Sequence, residues 1–121
     1  MEEPVILDQA VISGLRKLTP PGEPDVLAEV LKLFLEEVPP RIARLRNAWQ
    51  AGNIQEVHRA AHSLKGSAGN IGARRLYDAC SRLDERGKAG DLAAVAPLVD
   101  AVGVEFGNVE TEIRRVLETA K

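Results

Sequence analysis

Asn53-Ile54-Gln55-Glu56-Val57-His58-Arg59-Ala60-Ala61-His62-Ser63-Leu64-Lys65-Gly66-Ser67-Ala68-Gly69-Asn70-Ile71-Gly72 has the period and the punctuation of a helix. Its apolar residues Ile54, Val57, Ala61, Leu64, Ala68 and Ile71 recur at alternating spacings of three and four, which puts them on one face. Asn53 with Glu56 makes an N-terminal capping signature, and Gly72 closes the element. His62 then lies about 100° around the helix from Ala61, beside the buried seam and within reach of solvent. Its neighbours at helical spacing are Gln55 and His58 on one side and Lys65, Gly66 and Gly69 on the other.

The same period continues in both directions. Upstream, Leu27, Leu31, Phe34, Val38, Ile42, Leu45 and Trp49 form a longer seam that Gly52 ends. Its phase survives Pro39-Pro40. Each proline costs about 3 kcal/mol inside a helix, so a kink or short break is expected there. Asp8 can cap a short first helix burying Val11, Leu15 and Leu18, broken by Thr19-Pro20-Pro21-Gly22; residues 1–7 are expected to be irregular. Downstream, Ala73, Leu76, Cys80 and Leu83 define a fourth helix, with Gly87 and Gly90 marking its end. Asp91 can cap a last helix with Leu92, Val95, Val99, Val102, Phe106, Val109, Ile113 and Val116 on its seam, and Pro97 leaves its start open. Short connections between long amphipathic helices imply antiparallel neighbours. The expected fold is all-α: one domain over 1–121, an up-and-down antiparallel four-helix bundle with the short N-terminal helix covering one end.

Bulk properties narrow the function classes. The chain is 45% hydrophobic and 28% charged, with aromatics only at Phe34, Trp49, Tyr77 and Phe106, so aliphatic residues must make the core. A net charge of −2 gives no basic footprint for nucleic acid. Cys80 is the single cysteine, which excludes an internal disulfide and fits a reducing compartment. No uninterrupted apolar run approaches the roughly 20 residues that span a bilayer. The acidic start, Met1-Glu2-Glu3, lacks the basic region of a secretory signal. There is no internal repeat and no low-complexity stretch. A cytoplasmic protein is expected.

Two glycines in the third helix are costly for an element that only packs, each giving up about 1 kcal/mol relative to alanine. Gly66, one turn from His62, would leave the ring clear for another protein to approach. Lys65 can place a cation beside an anion on that ring, and a neutral imidazole is a good nucleophile. Duller readings apply to the neighbours. His58 reads as a rim residue, Arg74 and Arg75 as solvated or docking side chains, and Cys80 as a small core residue. Ser67 can bond back to a carbonyl or assist near a phosphate. A metal site on His58 and His62 is disfavoured. The zincin pattern needs glutamate where Arg59 stands, and Gln55 and Arg59 occupy the glutamate places of a di-iron helix. Walker A spacing is absent.

The segment resembles the signature of histidine-containing phosphotransfer (HPt) domains through His62, Leu64, Lys65, Gly66, Ser67, Ala68, Ile71 and Gly72. Helix order and the long last helix extend the resemblance over most of the chain. It implies a phosphorelay intermediate of two-component signalling. His62 would be the phosphoacceptor through Nε2, Lys65 would steady the phosphoryl oxygens, and Gly66, with Gly69 and Ser67, would permit close docking. Family members often carry a glutamine 22 positions after the histidine to orient the ring. Here that position is Asp84, which could hold the Nδ1 proton but would also favour the imidazolium and add negative charge near a phosphate. The resemblance implies no cofactor and no independent catalytic machinery in this chain, with Mg2+ and a phosphoaspartate supplied by the partner receiver domain. Partners would be receivers of response regulators or of a hybrid kinase, with the protein itself a monomer outside the membrane. Two other readings are a receiver-docking module without turnover and the phosphotransfer domain of a chemotaxis-type kinase.

Overall fold

Asp8, Asp25, Asn53 and Asp91 each accept a hydrogen bond from an amide two or three residues further on, at 2.9, 3.0, 3.2 and 3.1 Å, and each opens a helix. In the computed structural model, which describes residues 5–119, the elements are α1 (Gln9–Lys17), α2 (Val26–Gln50), α3 (Ile54–Asn70), α4 (Arg74–Lys88) and α5 (Leu92–Thr119). The capping signature at Asn53 forms by one half only. Glu56 pairs with Arg59 at 2.7 Å, and the Asn53 amide donates to the Ala48 carbonyl instead. Of the expected irregular start, residues 5–7 carry no helix or strand and 1–4 lie outside the described residues.

The connections 51–53, 71–73 and 89–91 are too short for anything but a reversal, and each holds a glycine with φ between 70° and 75°. Helices α2, α3, α4 and α5 therefore run up and down, each packing on the next, and α5 closes the ring against α2. The centre is aliphatic: Leu31, Leu45, Val57, Leu64, Leu83, Val95, Val102 and Ile113 are all at most 1% exposed. The expected all-α bundle is the observed one.

Two sequence expectations need correction. Of the kink or short break expected at Pro39-Pro40, the break does not occur: α2 is continuous there. Both prolines lie on its exposed side while Val38 and Ile42 stay buried, so water can reach the side of the helix that loses its amide donors. In α1 the buried residue is Ile12, whereas Val11 and Leu15 are half-buried and Leu18 is 62% exposed. The N-terminal segment is placed by buried Leu7 and Ile12 and by its polar atoms. The Asp8 amide donates to the Gly72 carbonyl at 2.8 Å, the Arg74 guanidinium donates to the Asp8 carboxylate at 2.6 and 2.9 Å, and the Arg75 amide donates to the Val5 carbonyl at 3.2 Å. These bonds clamp the segment over the α3–α4 turn and supply a partner to α4, which has no side-chain cap of its own. A Cβ on Gly72 would sit 2.8–3.0 Å from Val11 and Asp8 side-chain atoms, so the turn and the clamp fit only with glycine there. Arg74's guanidinium, its bond first, and then the Ala10 amide hold the Asp8 carboxyl below its usual range. The clamp is thus intact at and above the usual carboxylate range and loosens only as the pH falls below it, through the lowered value.

Helix α5, with Pro97 inside it, is also unbroken, and by length and composition alone it could cross a membrane. Its stripe of Val95, Val99, Val102, Val109 and Ile113 is turned to the bundle core, while Leu92 and Val104 are exposed.

Cys80 is fully buried, as its place on the α4 stripe implied. Burial first, and then the charge on Asp84, push its thiol from 9.0 up to about 12. The folded state thus holds this proton more tightly than the unfolded chain. That contribution is whole below pH 9 and is lost as the pH rises toward 12. Denaturant melts across that window are expected to show a loss of up to roughly 4 kcal/mol from this group. Cys80→Ala, less stable at neutral pH, should show the shallower alkaline slope.

Candidate functional site

The facing sides of α3 and α4 meet along a row of small residues, and the site stands beside it. Ala61 and Ala68 of α3 and Ala79, Cys80 and Gly87 of α4 are buried, so the two helices lie close together there. Gly87 marks one such close approach: a Cβ on it would be 3.0–3.3 Å from the Cα, Cβ and N of His58. Sequence reading took Gly87 as an end marker, whereas the structure uses it as a contact. Gly87→Ala would gain about 1 kcal/mol of helix propensity. It is nonetheless expected to lower the melting temperature, because the methyl group must push one backbone off another. A raised melting temperature would show that the helices separate freely.

His62 stands off the seam with its side chain 73% exposed, as its position around the helix required. Its Nδ1 lies 3.2 Å from Oδ2 of Asp84, one of the two oxygens of a carboxylate only 14% exposed. Against an ionised carboxylate, Nδ1 is the donor, which leaves Nε2 with its lone pair on the far side of an open ring. Lys65 Nζ is 3.9 Å from the same Oδ2 and 5.6 Å from the centre of the Tyr77 ring. His62, Lys65 and Asp84 therefore converge.

The other expected site residues divide. Gly66 has open space where a Cβ would stand, so nothing in the chain's own fold calls for glycine there. Gly14 and Gly107 share that openness, and only Gly66 has it one turn from His62. Gly69 abuts Tyr77, whose ring would meet its Cβ at an ordinary 3.6 Å. Ser67 faces α2, accepting from Arg41 at 2.7 Å and donating to the Ser63 carbonyl at 3.4 Å, so its hydroxyl is engaged away from His62. Arg74 and Arg75 are paired with Asp8 and Glu105.

Sequence reading missed two participants. Tyr77 supplies the ring under Lys65. His58, read as a rim residue, brings Nε2 to 2.8 Å from Oδ1 of Asp84. The available signal was arithmetic: with His58 and His62 one turn apart on α3, a carboxylate facing one from α4 can face both. Among the described residues, no group of three His, Cys, Asp or Glu has an arrangement fit to hold a metal ion.

Comparison with known proteins gives a consistent result. A family model described as Hpt domain matches residues 29–120. Histidine-containing phosphotransfer protein 2 of Arabidopsis thaliana is 27% identical over 110 residues, 88% of this chain and 70% of that protein. The crystal structure of histidine-containing phosphotransfer protein B from Pseudomonas aeruginosa PAO1 superposes with a TM-score of 0.88 at 27% identity, covering 97% of this chain and 98% of the other. The maize phosphotransfer protein ZmHP2 shares the fold, with a TM-score of 0.82 at 20% identity over 96% and 90% of the two chains.

Proposed function

The chain belongs to the Hpt domain family and acts in histidine phosphotransfer within two-component phosphorelays, and on that premise we propose that His62 is its phosphoacceptor. One observation carries the assignment: of the two histidines, His62 alone combines a ring open to solvent with a carboxylate at Nδ1. Nε2 attacks the phosphorus of a receiver's phosphoaspartate, the N–P bond forms as the acyl P–O bond breaks, and the carboxylate leaves on the receiver. The Nδ1 proton stays on His62 toward Asp84, which stabilises the positive charge the ring gains. Lys65, within reach of Asp84 and partly exposed, turns its ammonium to the phosphoryl oxygens. The receiver supplies its own Mg2+. Transfer to a second receiver is the same step reversed. We propose a cytoplasmic monomer outside the membrane; the buried stripes of α2–α5 pack on one another, and the sole cysteine is a free core thiol.

A panel of radiolabelled, aspartate-phosphorylated receivers tests this reading. Acid-labile label is expected on this protein from at least one of them. No label from any receiver, with ATP plus a separate kinase domain also failing, would leave a receiver-docking module without turnover.

A further inference from the structure

The carboxylate of Asp84 has two oxygens, and the phosphoacceptor accounts for one. Oδ2 faces His62 and Lys65. Oδ1 is buried and makes no aligned hydrogen bond, while His58 Nε2 lies 2.8 Å from it. A buried carboxylate oxygen needs a partner, and the imidazole of His58 is the group standing there. The His58 backbone is packed against Gly87 of α4, and the ring centres of His58 and His62 are 6.4 Å apart beside the shared carboxylate.

We infer that His58 is a positioning residue for the phosphoacceptor, acting through Asp84. Resting on the assignment of His62 above, the inference gives His58 the Oδ1 side of the carboxylate. With Oδ1 held, the plane of the carboxylate is fixed and Oδ2 is kept on His62 Nδ1. Without His58, Asp84 can rotate about its side-chain bonds, and Lys65, which already shares Oδ2, competes for both oxygens. His62 then loses the contact that selects its Nδ1–H tautomer, and part of the population carries the proton on Nε2, where it blocks attack. The arrangement uses two histidines for one reaction: one bonds to phosphorus and the other keeps the shared carboxylate in place.

Two substitutions separate this role from simple packing. His58→Gln keeps an N–H donor near the place of Nε2. His58→Leu keeps bulk and removes the donor. Long-range 1H–15N correlation spectra of the unphosphorylated proteins, recorded where His62 is neutral, report its tautomer. Single-turnover transfer from a phosphorylated receiver reports the saturating rate and the half-saturating concentration. The wild type and His58→Gln are expected to hold His62 mainly as the Nδ1–H tautomer. His58→Leu is expected to show mixed tautomers and a saturating rate lower by about tenfold, with the half-saturating concentration unchanged. An unchanged tautomer in His58→Leu would overturn the inference, as would a His58→Gln variant that fails as badly as His58→Leu. The tautomer measurement needs no phosphoryl donor. If no receiver phosphorylates even the wild type, the assignment of His62 fails while the spectra still decide the role of His58.

Discussion

His62→Gln is expected to abolish phosphorylation entirely while leaving the melting temperature within error of the wild type. The ring is 73% exposed and lies off the seam, and its helical neighbours Ala61 and Leu64 carry the packing at that turn. Substitutions at such exposed positions usually change stability by no more than about 0.5 kcal/mol. The chemistry has no such tolerance, because an amide nitrogen has no lone pair available for attack at phosphorus. His58 should not take over, since its Nε2 is turned onto the Asp84 carboxylate. Acid-labile label surviving on the variant would place the acceptor elsewhere, with His58 the first residue to map. A large loss of helicity would mean that His62 contributes to packing.

Replacing Gly66 with leucine is expected to move stability and function in opposite directions. No atom of the fold lies within 4 Å of the added Cβ, and leucine is the better helix former by roughly 0.8 kcal/mol. For a domain of this size the melting temperature should rise by roughly 3–6 °C per kcal/mol gained. Transfer from a receiver should nevertheless slow by on the order of 100-fold, because the side chain stands where the partner must approach and displaces the reacting atoms. Gly66→Ala should show the same signs with smaller sizes. Unchanged transfer in Gly66→Leu would remove the steric account of this glycine. The opposed signs also guard against a trivial explanation, since a variant that is slower because it is misfolded cannot be more stable.

Most of the architecture was readable because each seam had one period and every helix start but that of α4 has a capping side chain. Asp8, Asn53 and Asp91 cap as their types predict; the α4 stripe is buried throughout, and the α3 and α5 stripes are buried except at half-buried Ile54, Phe106 and Val116 and at Leu92, which is exposed. What could not be read depended on a neighbour's position. Whether Pro39-Pro40 breaks α2 depends on which side of the helix faces water, and the core contacts of Val38 and Ile42 decide that. The face of α1 is chosen by the Asp8 clamp on Gly72 and Arg74 more than by the spacing of Val11, Leu15 and Leu18. At the site, His62 and Lys65 were visible because one helix carries both. The pairing of His58 with Asp84, the approach of Gly87 to His58 and the ring of Tyr77 under Lys65 all cross from α3 to α4, and no single-helix pattern encodes them.

Every group assigned to the chemistry lies between His58 and Gly87, within a single αα-hairpin closed by the turn at 71–73. In folding terms such a hairpin has low contact order, since its partners are near in sequence and loop closure costs little. The hairpin should form early. It should also be the last unit to open, with amide exchange in α3 and α4 slowest and α1 opening at much lower free energy. A docking receiver can then disturb the periphery of the bundle without loosening the carboxylate on which the phosphoryl acceptor depends.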